Sequence, residues 1–259
     1  MVIGILGVGH LASAMLRGFL ASGLCAADVL LSPRGQARAL SAQLGTPLAA
    51  DNRDLVERSE QVILAVRPAH AAAAVAGLPW REDQIVVSVC AGVTMAKLPV
   101  APARIVRAMP LVSAEFNASP TAFYPPCAKA RELLGRLGPT IPLDSEAEFE
   151  LASIDGAVFG WAHDLIRQTV DWSVARGARP EIMRELIARA FIAAGRMVCE
   201  RGEPIETLLC ELATPGGITE LGLKVLSERG QPAAWNAACG AVLERLTGQQ
   251  GDHGAPNSD

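Results

Sequence analysis

The stretch Val2-Ile3-Gly4-Ile5-Leu6-Gly7-Val8-Gly9-His10-Leu11-Ala12 decides the reading of this chain. Val2–Leu6 is a short apolar run of strand character. It stops at two glycines, and beyond them apolar residues fall at 11, 12, 15, 16, 19 and 20, a helical spacing. Strand, glycine turn and helix are the setting in which G-x-G-x-x-A binds a dinucleotide. The first glycine permits the tight turn, the second lets the backbone approach a diphosphate, and the small Ala12 lets helix lie close to strand. The helix start then offers unpaired amides to phosphate oxygens. Gly7, Val8, Gly9, His10, Leu11 and Ala12 are therefore the expected cofactor-binding turn.

Outward from this turn the same alternation continues. Val29–Leu31, Val62–Val66 and Ile85–Val89 are short runs rich in β-branched residues, separated by helix-compatible segments at 36–44 and 54–58. Continuous apolar strands alternating with helices imply a doubly wound, mostly parallel sheet, an α/β Rossmann domain. Residues 104–108, 122–124 and 138–143 are further strand candidates. Near residue 146 the character changes and every later pattern is helical. The segment 162–175 reads as a helix, and a longer one begins near Pro180 with apolar residues at 182, 183, 186, 187, 190, 191, 194, 197 and 198. Further helices follow, one opening after Thr214-Pro215-Gly216-Gly217 and one carrying Trp235, Val242 and Leu246. The expected division is a cofactor domain at 1–147, an all-helical domain at 148–247, and a polar, disordered tail at 248–259. A helical domain this thin cannot cover its long apolar face alone, so a homodimer or higher homo-oligomer is expected.

The end of the second strand separates the two pyridine dinucleotides. An NAD enzyme places Asp or Glu there to hold the ribose 2′-hydroxyl, whereas this chain has Ser32-Pro33-Arg34. Serine and arginine suit a 2′-phosphate, so NADPH is favoured over NADH. The bulk numbers agree with a small-molecule enzyme. Half of the 259 residues are hydrophobic, 19% are charged and the net charge is −4, which argues against nucleic acid or an anionic membrane as partner. The six cysteines are scattered without a C-x-x-C pair, so no metal site and no disulfide framework is expected. No apolar run is long enough to span a bilayer, and no basic leader precedes the first strand; the expected location is the cytoplasm.

With several further segments these residues resemble the pyrroline-5-carboxylate reductase family. The likeness runs from Val2 to Leu246 and includes Asp51-Asn52, Leu64-Ala65-Val66-Arg67-Pro68, Ala91-Gly92-Val93-Thr94, Arg107-Ala108-Met109-Pro110 and Thr214-Pro215-Gly216-Gly217-Ile218-Thr219. The resemblance implies a helical dimerisation domain after the Rossmann domain, and hydride transfer from a reduced nicotinamide to a cyclic C=N bond. By the same resemblance Asn52 lies toward the adenosine end of the cofactor, and Val66, Arg67, Pro68, Ala91 and Gly92 line its nicotinamide side. Met109 and Pro110 border the substrate. Amides around Thr214, Gly216 and Gly217 would hold the substrate carboxylate, and Thr219 would hydrogen-bond the imine nitrogen.

Two family segments are altered. Leu111-Val112-Ser113 stands where the family continues Asn-Thr-Pro, and Asp155-Gly156-Ala157-Val158-Phe159-Gly160-Trp161 where it has Gly-Ser-Gly-Pro. Bulky apolar residues there, Trp161 among them, are expected to reshape the substrate pocket. His10 replaces the family's usual Asn, and either touches the cofactor or faces solvent. His163 and Asp164 form a candidate acid–base pair at the substrate mouth, although neighbouring helix positions point about 100° apart. The leading expectation is an NADPH-dependent cyclic-imine reductase. The alternatives are a carbonyl reductase on the same scaffold, disfavoured by the absence of lysine between Lys129 and Lys224, and a non-catalytic NADPH sensor or scaffold.

Overall fold

The computed structural model describes residues 2–248. Its first part is one seven-stranded sheet in the order β2-β1-β3-β4-β5-β6-β7. The strands are β1 (Ile3–Leu6), β2 (Val29–Leu31), β3 (Gln61–Leu64), β4 (Ile85–Ser88), β5 (Arg104–Met109), β6 (Thr121–Tyr124) and β7 (Thr140–Pro142). Strands β1 to β5 pair in parallel, β6 runs antiparallel to β5, and β7 is parallel to β6. The chain leaves β1 for β2 on one side and returns to β3 on the other. That reversal opens a crevice at the carboxyl ends of the central strands, where ligands of such sheets bind.

Both faces of the sheet are covered, which is why the first four strands are buried along their whole length. On one face Ile3, Ile5, Leu31, Ile63 and Val87 pack against α1 (His10–Ala21), α2 (Ala37–Leu44) and, further along, α5 (Ala128–Gly135). Met15, Leu16 and Phe19 of α1 are fully enclosed there. Each such side chain contributes about 1.5–3 kcal/mol of burial. On the other face Leu6, Leu30, Val62 and Leu64 meet α3 (Asn52–Arg58) and α4 (Ala71–Val75). A short helix, α6 (Glu146–Ala152), brings Phe149 against Met109, Ala122 and Tyr124 at the β5–β6 end.

Beyond it the chain is helical: α7 (Asp155–Val174), α8 (Pro180–Glu200), α9 (Ile205–Leu212), α10 (Ile218–Glu228) and α11 (Gln231–Thr247). Helix α7 begins seven residues before the segment the apolar spacing marks out, because Gly156 and Gly160 dilute the helical signal of its first turns. Contacts divide the chain into two compact units. One runs through Gly156 and includes the chain from Leu243; the other is Ala157–Val242. Within the second unit the rings of Trp161 and Trp235 meet edge to face at 5.1 Å, and Arg201 joins the end of α8 to Glu203 and to Glu211 of α9. No residue of α8 or α10 is buried, and Leu186, Ile192, Leu221 and Leu226 stand more than half exposed. Among the described residues no helix is long and apolar enough to cross a membrane. The expected tail lies, past Gly248, outside the described residues.

Candidate functional site

The turn after β1 has the geometry its glycines suggest. Gly7 adopts φ +97°, and a Cβ there would sit 2.6 Å from Val66 Cγ1 and 2.9 Å from the Ala65 carbonyl. Two separate reasons therefore demand glycine. Gly9 caps α1 without any side-chain hydrogen bond, and nothing lies within 4 Å of where its Cβ would be. The amides of His10, Leu11 and Ala12 precede the first internal bond of α1, so they face that open space unpaired. Ala12 is buried against the sheet, and His10 is exposed at the helix start.

The loop after β2 wraps around this turn. Buried Ser32 accepts the Gly7 amide on its hydroxyl at 3.0 Å, and the Gln36 amide donates to the Val8 carbonyl at 3.1 Å. Ser32 thus props the turn as well as facing the crevice. A cavity of about 500 Å³ opens beside it, lined by Gly7, Ser32, Arg34, Asn52 and Val66 together with His70. An adjoining hollow is walled by Pro33, Arg34, Asp51, Asn52 and Arg53. Arg34 is exposed and has no carboxylate partner among the described residues, while Arg53 pairs with Glu57 at 3.1 Å. The nearby acids are committed to α3: Asp51 accepts the Asp54 amide at 2.8 Å, and Asp54 accepts the Ala50 amide and pairs with Arg58. The Ala50 amide, helped by Arg58, holds the Asp54 carboxyl below the usual carboxylate range. An uncapped helix start, bare space at Gly9 and a free guanidinium together fit a phosphorylated dinucleotide. His70 and Arg53 join this wall although no spacing rule in the sequence points to them.

On the other side of the crevice, Val66 is half-buried and Arg67 and Pro68 are exposed just past β3. The Cys90 thiol donates to the Leu64 and Val66 carbonyls at 3.4 and 3.3 Å, and burial pushes its pKa up, so it stays a protonated donor. It ties the β3 and β4 ends together. Ala91 and Gly92 follow, with Gly92 at φ +69° and the space of its absent Cβ taken by the Leu246 carbonyl of α11, 2.8 Å away.

Met109 and Pro110 close β5 at the same sheet edge, and a buried ion cluster fixes them there. Arg107 is 1% exposed; its Nη1 reaches Glu146 at 2.9 Å and Glu150 at 2.5 Å, and its guanidinium lies 4.5 Å over the Phe149 ring. Glu146 also accepts the Met95 amide at 2.9 Å, so one carboxylate links α6, β5 and the loop after β4. Sequence reading missed this strut; the i, i+4 acidic pair on α6 was the available signal. Of the altered segment at 111–113, Leu111 turns out to be buried, its amide held by Ser119 Oγ at 2.8 Å, so it packs inward.

In the second unit the expected residues lie as follows. Gly217 caps α10, and a Cβ there would strike Thr214 Oγ1 at 2.6 Å. The Gly217 amide donates to the Thr214 carbonyl, and the Gly216 amide is taken by Glu220 of the same helix at 2.7 Å. Two amides assigned to a substrate carboxylate are thus satisfied internally, the second already by a carboxylate. The Ile218 and Thr219 amides stay unpaired at the helix start, and Thr219 is exposed. His163 and Asp164 do not form a pair: His163 Nδ1 meets the Phe159 carbonyl at 2.7 Å, while Asp164 bonds Arg167 and Gln168. Arg167 and Gln168 hold the Asp164 carboxyl low. Trp161 is half-buried against Trp235, inside the unit's own packing. Among the described residues no group of His, Cys, Asp and Glu could hold a metal ion.

Comparison with known proteins matches both parts. Residues 2–92 fit the family model described as NADP oxidoreductase coenzyme F420-dependent, and residues 150–248 fit that of pyrroline-5-carboxylate reductase dimerisation. The chain is 27% identical to pyrroline-5-carboxylate reductase 2 of Bacillus subtilis (strain 168), over 87% of each protein. The pyrroline-5-carboxylate reductase of Streptococcus pyogenes shares its fold with a TM-score of 0.85 at 23% identity, covering 96% of this chain and 98% of that one. So does the NADP-bound pyrroline carboxylate reductase of Plasmodium falciparum, with a TM-score of 0.84 at 18% identity over 96% of this chain and 97% of that one. The chain is thus similar along nearly its whole length to pyrroline-5-carboxylate reductases, and residues 150–248 carry the dimerisation domain of that family.

Proposed function

We propose that this chain is an NADPH-dependent reductase of a cyclic imine carboxylate, pyrroline-5-carboxylate or a related ring, acting by hydride transfer to the C=N carbon. The observation that carries the cofactor half is Arg34, without a carboxylate partner among the described residues, sharing one cavity with Gly7, Ser32 and Asn52. The relatives carry the substrate half, since the Bacillus protein is a pyrroline-5-carboxylate reductase and the Plasmodium structure holds NADP. The dinucleotide, when bound, supplies the hydride. The amides of His10, Leu11 and Ala12 would receive the diphosphate, and Ser32 and Arg34 the 2′-phosphate. Val66, Arg67, Pro68, Ala91 and Gly92 would flank the nicotinamide. Met109 and Pro110 would bound the substrate, the Ile218 and Thr219 amides would hold its carboxylate, and the Thr219 hydroxyl would hydrogen-bond the ring nitrogen.

The division of labour is a cofactor domain at 1–147 and a helical domain at 148–247 that forms a homodimer in the cytoplasm. The exposed apolar residues of α8 and α10 support the dimer. The test is NADPH oxidation by the purified protein across a panel of cyclic imine carboxylates, with Arg34→Ala in parallel. Turnover of at least one imine is expected, with NADPH binding weakened about 10- to 100-fold by Arg34→Ala and NADH binding unchanged, as loss of charge-assisted hydrogen bonds requires. NADPH bound tightly but never oxidised would instead establish a sensor or scaffold. The observation favouring that second reading is Glu220, whose carboxylate occupies the Gly216 amide.

A further inference from the structure

We propose that the Asp155 carboxyl faces the substrate and gives the imine nitrogen its proton, which makes Asp155 a catalytic residue that selects rings with a basic nitrogen. This rests on the reductase reading above. Asp155 opens α7, and a Cβ on the next residue, Gly156, would stand 4.0 Å from Met109 Sδ. Because β5 runs parallel to β1, β3 and β4, Met109 lies on the sheet edge that carries Gly7, Val66 and Ala91. Asp155 is thereby placed at the crevice edge.

Asp155 is the first residue inside α7, one position past where a capping side chain sits, and its carboxyl caps no helix. Asp51 and Ser145 cap their helices by accepting amides three residues on, at 2.8 and 3.0 Å. Asp155 engages only the adjacent Gly156 amide, and its Oδ1 is buried with no hydrogen-bond partner among the described residues. Among the described residues no cation pairs with it either. Arg107 on β5 is bound to Glu146 and Glu150 of α6. Burial lifts the Asp155 pKa to about 6, against an ordinary 3.8, which suits a group that must hold and release a proton near neutrality.

The step balances. The imine carbon receives hydride from the reduced dinucleotide while the C=N π pair moves onto nitrogen. Nitrogen takes the proton of the Asp155 carboxyl, which is reloaded from water, and the products are a secondary amine and the oxidised dinucleotide.

The test compares wild type with Asp155→Asn and Asp155→Glu in the full chain. Asp155→Asn is expected to lower kcat about 100-fold, the usual loss of a general acid, with NADPH affinity unchanged in a fluorescence titration. The wild-type kcat/KM profile should bend near pH 6, and the bend should be absent in Asp155→Asn and retained in Asp155→Glu. Without turnover, infrared difference spectra between acid and neutral pH should show a protonated carboxylic band that Asp155→Asn removes. Calorimetry with a cyclic secondary-amine carboxylate, the product class, should show binding weakened about tenfold. Equal rates, equal pH profiles and equal product binding in wild type and Asp155→Asn would overturn the proposal. If wild type reduces no imine, the reductase reading fails on its own, and the calorimetry decides for Asp155: weaker binding in the variant supports it, unchanged or absent binding refutes it.

Discussion

The two compact units solve the same problem in opposite ways. In the sheet unit β1 to β4 are buried from end to end, with helices closing both faces. In the helical unit α8 and α10 bury no residue at all, and Ile192 is 69% exposed. The first is a finished hydrophobic core; the second has an apolar surface awaiting a matching one. Exposed apolar area on this scale marks an interaction face, which a second copy of the chain would fill. The dinucleotide turn is therefore built within one chain, whereas the helical unit leaves apolar surface that a partner would cover.

The sharpest way to break that contrast is charge on the helical face. Leu186→Glu combined with Ile192→Glu is expected to yield monomers by analytical ultracentrifugation and to abolish turnover, while NADPH binding to the sheet unit stays within about twofold. Loss of NADPH binding in the same protein would show that the units are not independent in this respect. Next in size is the ion cluster inside the sheet unit. Glu150→Gln leaves Arg107 with one carboxylate in a buried site and should destabilise the protein by about 3 kcal/mol in denaturant unfolding, as broken buried pairs do. An unchanged midpoint would mean that Glu146 alone satisfies the guanidinium.

The smallest effect has the opposite sign. An acid whose folded pKa is raised binds more protons folded than unfolded, so its contribution to stability falls as pH rises from the unfolded value toward about 6. Above that the cost of the buried charge is fully present. Asp155→Asn should then stabilise the protein at pH 8 by about 1 kcal/mol, after allowance for solvent screening of a partly exposed group, and change it far less at pH 4. Stability gained where turnover is lost is the signature of a strained functional residue. No gain at pH 8 would mean that the Asp155 charge finds compensation.

Local patterns were legible in the sequence, and partner choices were not. The runs at Val29–Leu31 and Ile85–Val89 announced parallel strands because burial on both faces leaves no polar position. Gly7 announced its turn because few other residues accept a left-handed backbone. By contrast, Arg107 gives no hint of Glu146 and Glu150, which lie 39 and 43 positions away, and the antiparallel direction of β6 leaves no trace in its composition. Glu220 looked like an ordinary first-turn acid, yet it takes the Gly216 amide that the family pattern offers to a substrate. Asp155 has no sequence signal inside its apolar segment, since burial of one carboxyl oxygen is a property of the fold.

The contact between Gly92 and the Leu246 carbonyl has a consequence for the order of synthesis. The sheet unit takes its closing piece from residues beyond Leu243, so a nascent chain that has just passed Gly156 still lacks part of that domain. The loop at Ala91-Gly92 reaches its final packing only after the whole helical region has left the ribosome. A cofactor encountered before then would meet a half-built wall.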